Sequence, residues 1–119
     1  LQYAWPVDSV NAIYTANTLH IMSTREVDFF LQQAHLALKS TGLLVIYGPF
    51  NYNNAYTSES NREFDQRLRS QNTGSCIKSF ESIEALLSDS HFTCVNDVNM
   101  PANNRLLVWQ LKHNNQRKG

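Results

Sequence analysis

The sequence carries no excess of either charge and few cysteines. Ten acidic residues balance ten basic ones among 119, which argues against nucleic acid or an anionic membrane as the main partner. Two cysteines, Cys76 and Cys94, form neither a close metal pair nor a disulfide framework, so we interpret both as reduced structural residues. The four histidines, at positions 20, 35, 91 and 113, are scattered as well. No metal site is therefore predicted.

Long apolar stretches are missing too. No run approaches the roughly 20 residues that span a bilayer, and no signal peptide is recognisable at the start of the sequence. We therefore expect a cytoplasmic protein that does not contact a membrane. With 119 residues and no internal repeat, the chain is one domain at most, or part of a larger one.

Among the features that are present, the apolar stretch Gly42–Phe50 dominates the pattern. It shows no polar alternation and closes on Gly48-Pro49, which predicts a central strand with both faces covered, as in a parallel sheet flanked by helices. Ligands of open α/β sheets lie beyond the carboxyl ends of such strands. Residues 47–54 are therefore the first place to expect chemistry.

A strand and a helix are predicted upstream of this strand. Val10–Thr15 is rich in β-favouring residues and indicates a second buried strand. Ser23-Thr24-Arg25-Glu26 fits a capping box. The helix that it opens should run from Thr24 to Ser40, with Gly42 as the stop signal. Strand, helix and strand then form a right-handed βαβ unit with parallel strands.

The downstream segments complete the predicted sheet. A second capping box, Ser60–Glu63, opens a helix that ends near Ser70, and Ser79–Ser90 indicates a third helix. Phe92–Met100 suits an edge strand. Leu106–Leu111 is predicted to form a hairpin with it and to pair antiparallel with the central strand, on the side away from the first strand.

Candidate functional residues follow the two predicted parallel strands. Asn17 and His20 come after the first strand, and Tyr47 closes the second; parallel strand ends lie side by side, so these groups could converge on one ligand. His20 suits a general base, but it also suits a loop histidine bonded to the backbone. Asn103-Asn104 is typical of a turn.

Four blocks of the sequence closely resemble one protein family, the methyltransferase-like 26 type, described as S-adenosylmethionine-dependent class I methyltransferases. In family order, the blocks are Asn11–Ile21, Gly42–Phe50, Thr57–Asp65 and Met100–Asn104.

The resemblance implies an α/β fold, namely the carboxyl-terminal part of a Rossmann-like class I methyltransferase sheet. Its strands would be strands four to seven, the last one antiparallel. Residues 1–119 would then form a partial domain that lacks the amino-terminal half, with the glycine-rich loop and the acidic residue that hold the cofactor.

The same resemblance implies site residues and a cofactor, S-adenosylmethionine bound by the full-length parent. The cofactor side would be lined by Asn17, Leu19 and His20. The acceptor side would be lined by Tyr47, Pro49, Phe50, Asn61 and Asn104. His20 and Tyr47 are the catalytic candidates, and the methyl acceptor, a small molecule or another group, is not specified.

This interpretation has two rivals. The first is a non-catalytic remnant whose loops no longer meet a cofactor. Under the main interpretation the chain alone is expected to be inactive as well, but because half of the cofactor site would be missing. The second is an interaction module that pairs through an exposed strand. For the isolated 119 residues we expect an open apolar edge at Val10–Thr15 where the missing strands would pack, a partly covered helix face around Phe30 and Leu31, and self-association through that edge.

Overall fold

The computed structural model describes residues 6–112, which form a four-stranded mixed sheet and three α-helices. Two 3₁₀ turns, Leu19–Ile21 and Pro101–Asn103, connect these elements. In chain order, the elements are β1 (Val10–Ala16), α1 (Thr24–Ala37), β2 (Leu38–Gly48), α2 (Glu59–Ser70), α3 (Phe80–Asp89), β3 (Phe92–Met100) and β4 (Asn104–Leu111).

The strand order is β1-β2-β4-β3. β1 pairs parallel with β2, and Ile13 lies opposite Leu44. β4 pairs antiparallel with β2 on its other side and forms a hairpin with β3, which lies at the edge. These pairings confirm the predicted topology: a parallel pair joined through a helix, followed by an antiparallel hairpin.

Helix α1 begins as the sequence predicts but ends earlier. The Ser23 hydroxyl accepts from the Glu26 N–H while the Glu26 carboxylate accepts from the Ser23 N–H, so the capping box is complete. The helix stops at Ala37, not at Ser40, because Leu38 is extended (φ −76°, ψ 139°) and fully buried in the core. Burying this leucine outweighs continuing a helix over polar residues.

The glycine that was expected to stop α1 lies inside β2 instead. The left-handed conformation falls on Thr41 (φ 67°), not on Gly42. A Cβ at Gly42 would lie 2.8 Å from the Lys39 carbonyl oxygen and 3.0 Å from that of Asn11. Gly42 is therefore needed for the close approach of two backbones in a bulge between β1 and β2.

The predicted start of α2 is also corrected. The cap is Ser58, whose hydroxyl accepts from the Asn61 N–H at 3.0 Å, so Ser60 lies within the first turn and does not cap. The first helix turn is then shifted by two residues, although the helix ends at Ser70 as predicted. Helix α3 is capped by Ser79 and ends at Asp89, in agreement with its sequence pattern.

The core lies between the sheet and helices α1 and α3. Leu44 and Ile46 of β2 are buried there, whereas Leu43, Val45 and Tyr47 on the opposite face are half-buried. The prediction that both faces of this strand are covered therefore holds on one face only, within residues 6–112. The core residues are Leu19, Val27, Phe30, Leu31, Ala34, Leu38, Leu44, Ile46, Phe50, Ile83, Leu87, Phe92, Leu107, Trp109 and Leu111.

Strand β1 is more exposed than predicted. Its residues are mostly exposed or half-buried, and Tyr14 is 64% exposed. In the described part of the chain no strand pairs with its outer edge, so the expected open edge is present while the expectation of a buried strand is wrong. Phe30 and Leu31, which we expected to be partly covered, are 5% and 3% exposed, because α1 packs against both the sheet and α3.

Candidate functional site

A cleft of about 290 Å³ opens at the carboxyl ends of β1 and β2. Five residues predicted from the sequence line it: Asn17, His20, Pro49, Asn61 and Asn104. Parallel strands end at the same edge of a sheet, which brings the first three together. The complete lining of this strand-end cleft is Asn17, His20, Pro49, Ser60, Asn61, Phe64, Arg67, Ala102 and Asn104.

Asn17 joins the two strand ends through its backbone. Its N–H donates to the Tyr47 carbonyl at 2.8 Å, and its φ of 57° lies in the left-handed region, which asparagine tolerates better than most residues. The chain therefore turns sharply after β1. This turn sets His20 beside the end of β2, where a Cβ on Gly48 would lie 3.9 Å from His20 Nδ1.

His20 is nearly buried, with 8% of its surface exposed. Its ring packs edge-on against Phe64 at a centroid distance of 5.3 Å, and its carbonyl accepts from the Cys76 N–H at 3.0 Å. Burial, together with the positive charge of Lys78, lowers the pKa of His20 below its ordinary value of 6.5. The imidazole is therefore neutral near pH 7, with one ring nitrogen able to accept a proton.

Asparagine amides fix the opposite wall. The buried Asn61 donates through Nδ2 to Thr57 Oγ1 at 3.0 Å and to the Asn103 carbonyl at 3.3 Å. Asn104 donates through Nδ2 to Tyr47 Oη at 3.3 Å. These bonds connect α2 to the β3–β4 turn and place the Tyr47 hydroxyl one contact away from the cleft.

Three predicted site residues do not line the cleft: Tyr47 is connected to it only through Asn104, and the other two lie in the core. Leu19 and Phe50 are 4% and 1% exposed and belong to the hydrophobic core. Both side chains are apolar, and burying each one stabilises the fold by roughly 1.5–3 kcal/mol. The structure therefore does not bring them to the cleft wall.

Phe64 and Arg67 line the cleft but were not singled out by the sequence. In its pattern Phe64 marks the apolar side of α2 and Arg67 its outward side, and helical spacing does not distinguish a cleft from core or solvent. Arg67 lies over the Phe64 ring at 5.7 Å. Among residues 6–112 it is the charged residue of the lining, and no carboxylate of these residues lines the cleft, so the cleft favours electron-rich ligands.

The role of Asp65 was not evident from the sequence either. Its side chain is fully buried and accepts from the Ile77 N–H at 2.8 Å, from Tyr56 Oη at 2.6 Å and from Arg69 Nε at 2.9 Å. Burial raises the pKa of this carboxyl, but the three donors outweigh burial and lower it. Asp65 thereby fixes the loop after β2 and the segment before α3 to α2.

Neither a metal centre nor a membrane span is found in residues 6–112. No group of three or more histidine, cysteine, aspartate or glutamate side chains there is arranged to hold a metal ion. Each helix of the same residues is too short or too polar to cross a bilayer.

Comparison with solved structures identifies the fold. An O-methyltransferase family 2 protein from Planctomyces limnophilus, in complex with apigenin, superposes with a TM-score of 0.79 at 16% identity, over 92% of this chain and 32% of its own. Human N-acetylserotonin methyltransferase in complex with SAM gives 0.80 at 12% identity, over 94% and 32%. A Burkholderia thailandensis O-methyltransferase family protein gives 0.75 at 15% identity, over 89% and 31%.

These similarities show that the chain has the fold of the carboxyl-terminal part of a Rossmann-like methyltransferase domain. The chain spans about a third of the length of the structures that it matches. A family model described as "Protein of unknown function (DUF938)" matches residues 2–111, and the chain therefore belongs to that family.

Proposed function

We propose that this chain is the acceptor-side part of an S-adenosylmethionine-dependent methyltransferase of the methyltransferase-like 26 type. The observation that carries the proposal is the strand-end cleft, in which Asn17, His20 and Pro49 meet at the ends of two parallel strands. This is where ligands bind in open α/β sheets.

The open face of the sheet supports the proposal that residues 1–119 are a partial domain. An amino-terminal half would complete this domain. Tyr14, Val45 and Val108 lie side by side across β1, β2 and β4, and each is half-buried or exposed. Contiguous exposed apolar side chains of this kind usually contact another structural layer. A helical layer and further strands would bury them.

The lining of the cleft fits only part of the cofactor. Asn17 and His20 could contact the region around the methyl group. No carboxylate lines the cleft in residues 6–112, so the ribose hydroxyls and the α-ammonium group would lack their natural acceptors here. These partners belong to the proposed amino-terminal half.

His20 is the residue that we propose as general base. S-adenosylmethionine, when bound, supplies the electrophile of the reaction, a methyl group carried on a positively charged sulfur. A neutral acceptor must lose its proton to attack, and the unprotonated imidazole nitrogen of His20 would receive it. The lowered pKa of His20 keeps that nitrogen free near pH 7.

Tyr47 and the asparagines would position the acceptor. The Tyr47 hydroxyl is oriented by Asn104 Nδ2 at 3.3 Å, and Asn61 is held by two hydrogen bonds of its own. Side chains fixed in this way hold a substrate at little entropic cost. The cleft volume of about 290 Å³ suits a small acceptor.

Calorimetric titration of S-adenosylmethionine into the 119-residue chain and into a longer natural chain tests the proposal. Each missing hydrogen bond to a charged group costs roughly 1.5–3 kcal/mol, so the loss of two or three weakens binding by several powers of ten. We expect millimolar affinity or weaker for the 119 residues and tight binding for the longer chain. Micromolar affinity of the shorter chain would overturn the division into two halves. His20→Asn and Tyr47→Phe would then show whether the strand-end cleft forms the site.

The exposed edge of β1 favours a second candidate, an interaction module that pairs with another chain by strand addition. Val10 and Tyr14 are 37% and 64% exposed along this edge, and unpaired strands are templates for pairing. A longer chain that binds no S-adenosylmethionine but captures a partner through β1 would support this candidate over the enzyme.

A further inference from the structure

A second cavity, of about 440 Å³, lies among α1, α3 and the loop that follows β2. Its volume is within the ~300–1,000 Å³ typical of small-molecule sites. Asn51 and Asn54 of the predicted stretch 47–54 line it, whereas none of the individually predicted site residues does. We call it the helix-side cavity, and its lining is Thr24, Val27, Asn51, Asn54, Ala55, Tyr56, Arg69, Cys76, Ile77, Lys78, Ser79, Ser82, Ile83 and Leu86.

Lys78 gives this cavity a buried positive charge. It is 8% exposed, and its ammonium group donates to the Met22 carbonyl at 2.6 Å, to the Cys76 carbonyl at 2.9 Å and to Cys76 Sγ at 3.5 Å. In residues 6–112 no carboxylate forms an ion pair with it. Asp65 attracts it only at longer range and is already bonded to Arg69.

A buried lysine without an adjacent carboxylate is uncommon, since buried charges are normally paired. The other cation of the lining, Arg69, has its partner in Asp65, and within the described part of the chain no aspartate or glutamate lines the cavity. Thr24 and Ser82 lie in the first turns of α1 and α3, where helix dipoles add positive potential. The cavity therefore favours an anion.

Asn51 adds an acceptor without a donor. Its Oδ1 is buried and has no hydrogen-bond partner among residues 6–112, although buried polar atoms are nearly always bonded. Its backbone is fixed, because its N–H donates to the Lys78 carbonyl at 3.0 Å and its carbonyl accepts from the Phe80 N–H at 2.8 Å. A ligand hydroxyl would supply the missing donor.

We propose that the helix-side cavity binds a small hydroxylated carboxylate with an apolar body. The carboxylate would lie against Lys78 and replace its weak contact to the Cys76 sulfur, and the hydroxyl would donate to Asn51 Oδ1. Val27, Ile83 and Leu86 would contact the apolar body. Inorganic phosphate fits less well, because it would leave these apolar walls without a partner.

A series of probes tests the proposal on the unmodified protein in its full natural length. The probes are 3- and 4-hydroxybenzoate, benzoate, and 4-hydroxybenzyl alcohol as the neutral control, titrated by NMR. The better hydroxybenzoate should bind more tightly than the alcohol, by about tenfold or more, because the alcohol lacks the carboxylate that makes the charge-assisted contact to Lys78. It should bind severalfold more tightly than benzoate, which lacks the hydroxyl for Asn51. Equal affinity for the anionic and neutral probes would overturn the proposal.

Two variants locate the binding. Lys78→Met should weaken binding of the better hydroxybenzoate about tenfold or more. Lys39→Met, which removes an exposed lysine that is not part of the cavity lining, should leave this binding unchanged. Ala55→Phe, at an exposed lining position, should block the cavity without touching the core. Ala55→Phe tests the location of binding even if Lys78→Met does not fold. Unchanged binding in Ala55→Phe would refute the assignment of the ligand to this cavity. These titrations need no S-adenosylmethionine, so their outcome is separate from that of the proposed methyl transfer.

Discussion

Replacement of Asp65 tests whether one buried carboxylate holds the loop after β2 and the segment before α3 to α2. Asp65→Ala leaves the Ile77 N–H without an acceptor, and Ile77 is 2% exposed. A buried donor left unpaired costs about 1–3 kcal/mol. Tyr56, 38% exposed, and the Arg69 side chain, 59% exposed, can bond to water, so they add little. We expect Asp65→Ala to lower the free energy of unfolding by about 2–3 kcal/mol.

Asp65→Asn separates the hydrogen bond to Ile77 from the charge. An asparagine oxygen can still accept from the Ile77 N–H, so we expect a loss of only about 1 kcal/mol. Glu63→Ala, exposed on the same helix, is the control and should change the stability by less than about 0.5 kcal/mol. Urea unfolding followed by tryptophan fluorescence, to which the buried Trp109 contributes, measures all three variants.

The pH dependence gives an independent check. The pKa of Asp65 is lowered in the folded state, so its contribution is present above the unfolded pKa of about 3.9 and is lost as the pH falls through the folded value. The difference in free energy of unfolding between the native chain and Asp65→Asn should therefore shrink below about pH 4. If Asp65→Ala were as stable as the Glu63→Ala control, or if Asp65→Asn were equally damaging, the assigned role would be wrong.

Three further predictions address other parts of the molecule. Stability should fall between about pH 7 and pH 5, because the unfolded chain binds a proton that the buried His20 resists; His20→Gln should flatten this slope, and an unchanged slope would contradict the lowered pKa. Gly42→Ala should destabilise the fold by about 1–3 kcal/mol in urea unfolding, because its Cβ would approach the Lys39 carbonyl oxygen to 2.8 Å; an unchanged midpoint would refute this. Tyr14→Lys should reduce self-association in sedimentation, since Tyr14 is 64% exposed at the open edge; a native chain that is already monomeric at high micromolar concentration would contradict it.

Local patterns in the sequence were enough to predict where most elements lie and how the strands pair. The box Ser23–Glu26 fixes the start of α1 because its hydrogen bonds are local, and a helix between two apolar runs implies a parallel pair. The residues that follow the two parallel strands could also be predicted as neighbours. Asn17, His20 and Pro49 indeed line one cleft.

Tertiary packing determines the end of α1, the burial of residues next to the site and part of the cleft lining, which local sequence patterns do not predict. Helix α1 ends before Leu38 because this side chain is buried in the core in an extended conformation. Leu19 and Phe50 are also buried in the core, although they flank the predicted site. Phe64 lines the cleft because α2 forms part of the cleft wall. Asp65 could not be distinguished from an exposed helix carboxylate, since its partners Tyr56 and Ile77 come from loops whose course depends on the whole fold.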